Sequence, residues 1–195
     1  MLQIHSSGRP LTHKIVTTVI TLKHLGILWH IVDEKRYNWR HDSILLSLAS
    51  MVPRNVSTRV YADIPGFTSP SVVTGEEQRP DIVINMNNSL WIIELTVGFE
   101  TNVRKNYERK LKNYEQLISD LKKRYSKVIY VNLSMGACGI IGKESKLKQF
   151  LNQFDLPPSD IAYHIAKIMN ICVRTTYYIF CRRNQDWLNP ELMSW

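Results

Sequence analysis

A chain of 195 residues is long enough to bury one sizeable core and short for two, and 44% apolar with 22% charged residues excludes a disordered or fibrous chain. Lys and Arg outnumber Asp and Glu by 25 to 17, a formal +8 that points to a polyanionic partner and leaves the fold open. Cys138, Cys172 and Cys181 form no CxxC pair and leave an odd count, which argues against a disulfide framework and for a reducing, intracellular compartment rather than secretion.

Residues 1–38 mix β-branched runs with basic residues and show no clean period, so they read as an N-terminal extension; residues 39–195 read as one domain. Lys23, His24 and His30 interrupt the apolar stretch at residues 15–31, and no small-residue cleavage pattern follows. From His41, the spacing of Ile44, Leu45, Leu48, Ala49 and Val52 predicts a helix capped by Asp42 or Ser43 and stopped by Pro53. Residues 58–64 alternate as a strand, and the Pro-, Gly-, Ser- and Thr-rich residues 65–78 predict a loop. Two β-like runs, 79–84 and 90–97, then flank a polar turn at 85–89. Gly98 breaks the second run, and Asn102 can cap a long helix to about residue 125.

A buried strand at 128–133, a Gly-rich loop at 136–142 and a short helix at 144–154 follow. Beyond Pro157 and Pro158, Ser159 or Asp160 caps a last helix with Ile161, Ile165, Ile168, Cys172, Thr175 and Ile179 on one stripe and Arg182 and Arg183 at its end. Lys167 and Arg174 in that run argue against a membrane span. The order α-β-β-β-α-β, then two helices, predicts an α/β fold.

Asp81 and Glu94 are the candidate chemistry. Each is a carboxylate on an otherwise apolar strand, and such a charge is costly to bury without a partner. With the turn centred near Asn87 the two stand nearly opposite across a hairpin, where residues can share one face and one hard cation such as Mg²⁺. On the following helix, Val103, Tyr107, Leu111, Tyr114, Leu117, Ile118 and Leu121 occupy a sector about 120° wide that should face the sheet. Lys110 falls inside that sector, which makes it a candidate catalytic lysine; Lys105 and Lys112 point roughly the opposite way, as solvated charges. The stretch from Arg104 to Lys127 carries nine basic residues against three acidic ones. Arg79, Arg104, Lys105, Arg109 and Lys112 are the candidate nucleic-acid contacts, with Arg79 either on a phosphate or paired with the Asp beside it.

Arg79-Pro80-Asp81, twelve residues and then Glu94 resembles the signature of the restriction-like endonuclease domain of site-specific non-LTR retrotransposons, a branch of the PD-(D/E)XK nuclease superfamily. The likeness covers most of the chain: residues 37–45 resemble the stretch that leads those domains, and residues 108–114 resemble their basic helix. It implies a restriction-endonuclease-like αβββαβ core with a mixed central sheet, Mg²⁺ or Mn²⁺ held by Asp81 and Glu94, and hydrolysis of DNA phosphodiesters with Lys110 assisting. A nuclear location, DNA as partner and the reverse transcriptase of a parent element as a further partner are implied with it. The superfamily's lysine two residues after the carboxylate is replaced here by Thr96; members of this branch are similar in carrying the lysine on the next helix, where Lys110 fits. Such domains usually follow a Cys-Cys-His zinc knuckle, whereas His24, His30 and His41 have no cysteine pair. Two other readings stay open: a catalytically inactive retroelement-derived nucleic-acid-binding module, and a structure-specific junction resolvase on the same scaffold.

Overall fold

The structure, a computed structural model, describes residues 36–53, 56–143, 145–188 and 190–193. Helix α1 (Arg36–Met51) buries Ile44, Leu45, Leu48 and Ala49, as their spacing predicts. It is already helical at Arg36, so Asp42 and Ser43 lie inside it rather than at its start. Ser43 Oγ donates to the Trp39 carbonyl one turn back, at 2.8 Å, instead of capping. The boundary drawn at residue 38 therefore falls within a helix. Trp39 holds this first turn in place, its ring 5.1 Å from Tyr178 and 5.4 Å from Trp187.

Strand β1 (Thr58–Ala62) follows, and one helical turn, α2 (Ser71–Thr74), stands within the segment expected to be a loop. Strands β2 (Ile82–Met86) and β3 (Ser89–Gly98) form a hairpin whose ladder runs from Ile82↔Ile93 to Met86↔Ser89. The turn is only Asn87 and Asn88, with φ of 51° and 59°; Asn tolerates this left-handed region, and the resulting turn matches the twist of paired strands. A 3-10 turn (Glu100–Asn102) leads into helix α3 (Val103–Leu121), which ends short of residue 125, and Asn102 makes no side-chain cap bond.

Strand β4 (Lys127–Gly136) pairs parallel with β3, an arrangement that requires a crossover such as α3. The sheet order is β1-β2-β3-β4, with the first two pairings antiparallel and the last parallel. Helix α4 (Leu147–Leu151) and a 3-10 turn (Asn152–Phe154) precede α5 (Pro158–Cys181). Helix α5 starts at Pro158, whose fixed φ suits a first turn, rather than at a Ser159 or Asp160 cap.

Alternation along β2 and β3 divides the core in two. Ile82, Ile84, Trp91, Ile93 and Leu95 pack with residues of α1, α4 and α5, whereas Val83, Leu90 and Ile92 pack with Tyr114, Leu117 and Leu121 of α3. The result is a mixed α/β fold with a four-stranded mixed sheet flanked by helices. No helix among the described residues is long and apolar enough to cross a membrane.

Candidate active site

The alternation that sends Leu90 and Ile92 towards α3 sends Glu94 the same way. Its side chain is 2% exposed. Burial raises its carboxyl above the usual range, and the negative charge of Asp81 raises it further, against the pull of the Lys110 ammonium. Lys110 donates from α3 to Glu94 Oε1 and is itself 26% exposed. The lysine predicted within the sheet-facing sector is thus on that side and finds a carboxylate there.

Leu111, expected in the same sector, is instead 41% exposed. It stands about 80° around the helix from the line through Val103 and Leu121, at the margin of the sector, whereas Lys110 stands about 20° from that line. Thr96 follows Glu94 on the same strand face, and its hydroxyl is buried without a hydrogen-bond partner among the described residues. A lysine is absent at that position, and Lys110 brings the positive charge from the helix above.

Asp81 immediately precedes β2. Because Ile82 pairs with Ile93, Asp81 stands across from Glu94, as the hairpin geometry predicts. Its Oδ2 accepts the Leu95 backbone N–H at 2.7 Å and a bond from His41 Nε2 at 3.2 Å. The other ring nitrogen of His41 faces Asp42 Oδ1 at 3.0 Å. Burial alone would lower the affinity of His41 for its proton, but the bonds to Asp42 and Asp81 outweigh it and push the pKa up to about 10.

Sequence reasoning considered His41 only as a zinc ligand; its partner lies forty positions downstream, and only the packing of α1 under the sheet brings them together. A second group was missed on β4. Asn132, in register with Glu94, accepts from Ser134 Oγ at 2.6 Å and donates to the Tyr130 hydroxyl at 3.3 Å. The period-two recurrence of Tyr130, Asn132 and Ser134 was the available signal. The Tyr114 hydroxyl, raised by burial and by the charge of Glu94, donates to the Arg79 carbonyl at 3.3 Å.

Arg79 pairs with Asp63 at 3.1 Å, not with the neighbouring Asp81, and keeps half its side chain exposed. It lines a cleft of about 380 Å³ together with Glu77, Gln78, Lys110, Asn113 and Tyr114. Arg104, Lys105, Arg109 and Lys112 are exposed, and Arg104 is paired with Glu108 one turn on at 3.1 Å. The fold therefore brings Asp81, Glu94 and Lys110 together and leaves these four on the solvent side of α3.

Whether the carboxylates fit a divalent cation can be judged from Glu94 Oε2, which is buried and receives no donated hydrogen bond among the described residues, the neighbouring Tyr114 hydroxyl donating to the Arg79 carbonyl instead. A buried acceptor without a donor is costly, and two carboxylates are the hard oxygen ligands that Mg²⁺ and Mn²⁺ take. The residues fit such an ion. No group of three His, Cys, Asp or Glu side chains that could hold a metal stands among the described residues, so water would complete the coordination, as Mg²⁺ commonly allows. No protein-family model and no curated protein matches the chain.

Proposed function

We propose that the chain is a metal-dependent DNA endonuclease domain of retrotransposon origin, built on a restriction-endonuclease-like αβββαβ core. The observation that carries this reading is the convergence of three predicted residues at one place: Glu94 buried on β3, Asp81 across from it, and Lys110 paired with Glu94 from α3. The helix–strand order, with α1 before the hairpin and α3 crossing to a parallel strand, supports the same core. Asp81 and Glu94 would hold Mg²⁺ or Mn²⁺; when bound, the ion supplies positive charge at a phosphodiester and makes water a nucleophile at neutral pH. Lys110 places a fixed ammonium beside that site, where it counters the charge developing on the phosphoryl oxygens or orients water. Arg79, at the mouth of the cleft, offers a partly exposed guanidinium to the DNA backbone.

A plasmid nicking assay with Mg²⁺ and with Mn²⁺ tests this. Nicking by the wild type that drops to background in Asp81→Ala is the expected result, and equal behaviour of the two overturns the enzyme reading. The inactive nucleic-acid-binding module is the second reading, favoured by the exposed basic residues Lys105, Arg109 and Lys112 of α3, which need no metal to meet a phosphate backbone. Salt-sensitive DNA retention without Asp81-dependent nicking selects it. Preference for branched over linear DNA selects the junction resolvase.

A further inference from the structure

We propose that His41 is a positioning residue that fixes Asp81 for the divalent cation and commits one carboxylate oxygen so that the other is presented towards Glu94. This rests on the reading that Asp81 and Glu94 take that cation. Asp81 immediately precedes β2 and its carbonyl accepts the Asp63 N–H at 2.9 Å, so strand pairing fixes its backbone but not its carboxylate. Two donors do so instead: the Leu95 N–H at 2.7 Å and His41 Nε2 at 3.2 Å both reach Oδ2. With Oδ2 occupied twice, Oδ1 is the oxygen for the ion.

The imidazole is itself held, because Asp42 Oδ1 takes its Nδ1 at 3.0 Å. Asp42, His41 and Asp81 thus form a line of three side chains running from α1 to the site. The helix delivering the ring is anchored beside it: Arg40 donates to Thr176 Oγ1 at 3.1 Å and to the Val97 carbonyl on β3 at 3.4 Å. Outer partners that orient a metal-binding carboxylate or imidazole in this way commonly set metal affinity within a range of 10- to 100-fold.

The test is Mn²⁺ binding by isothermal titration calorimetry on the whole chain, with Asp81→Ala as the control that removes the site. In His41→Ala the Mn²⁺ dissociation constant is expected to rise about 10- to 100-fold. His41→Gln, which keeps an N–H donor at comparable reach, is expected to recover most of that loss. A merely structural role would shift the melting temperature of the metal-free protein without this difference between Ala and Gln. Asp81-dependent binding with unchanged affinity in His41→Ala overturns the inference and leaves the metal reading standing. Wild-type protein without Asp81-dependent Mn²⁺ binding overturns both. If His41→Ala loses its helical circular dichroism, Asp42→Ala decides: weaker binding supports the brace, and wild-type affinity overturns it.

Discussion

Glu94 is the most deeply buried of the three charged residues that meet at the site. It is 2% exposed, lies near Asp81, and has Lys110 as its ion-pair partner. Lys110→Met would leave the carboxylate buried without its cation, a change that costs about 2–3 kcal/mol when the group stays charged. Protonation relieves that cost. Because the Glu94 carboxyl titrates above its ordinary value in the folded chain, the folded state binds the proton more tightly than the unfolded one. The stability contributed by the neutral form is therefore present at low pH and lost as pH rises through the folded-state pKa. The expected outcome in urea denaturation is a deficit for Lys110→Met that is larger at about pH 8 than at about pH 5. A pH-independent deficit would mean that Lys110 acts on stability by packing its alkyl stem rather than by its charge.

At the scale of elements, Gly139 joins β4 to the rest of the fold. It adopts φ of +79°, and a Cβ there would lie 2.9 Å from Val173 Cγ2 and 3.0 Å from the Met169 carbonyl on α5. Gly139→Ala adds a strained backbone to a clash with a helix that cannot yield at its own carbonyl. A loss of about 2–3 kcal/mol, read from denaturant midpoints, is expected. Such a close approach leaves only a glycine in the sequence, so its cause was not legible there. The β2–β3 hairpin was legible, because apolar runs on either side of an asparagine turn fix both pairing and phase, and with the phase came the position of Asp81 across from Glu94. Lys110 was legible from helical period alone. Leu111 was not, since a period assigns a direction but not how far the sheet extends beneath it. Helix starts were misplaced for a related reason: Trp39 packing extends α1 upstream, and Pro158 opens α5, where the sequence offered Ser and Asp as equally good caps. His41 was the main omission, because a histidine's partner across a sheet is a tertiary fact that local spacing does not encode.

For the whole molecule, the +8 charge and the position of α3 make a joint prediction about DNA binding. One side of α3 meets the sheet through Tyr114, Leu117 and Leu121, with Lys110 among them over Glu94, while Lys105 and Arg109 are exposed. At 100° per residue, Lys105 projects about 140° and Arg109 about 100° away from Lys110, across a helix about 10 Å in diameter. A duplex whose phosphate reached Asp81 and Glu94 would meet Lys105 and Arg109 on its flank, as contacts that neutralise backbone charge without reading sequence. Each phosphate neutralised releases condensed counterions, so binding should weaken with added KCl along a straight line in log affinity against log salt. Lys105→Ala with Arg109→Ala is expected to weaken retention of unrelated DNA sequences to a similar degree and to make that line shallower by about two. The measurement is fluorescence anisotropy of a labelled duplex across a KCl series, and identical slopes for the double variant and the wild type would move the DNA-binding surface off the outer face of α3.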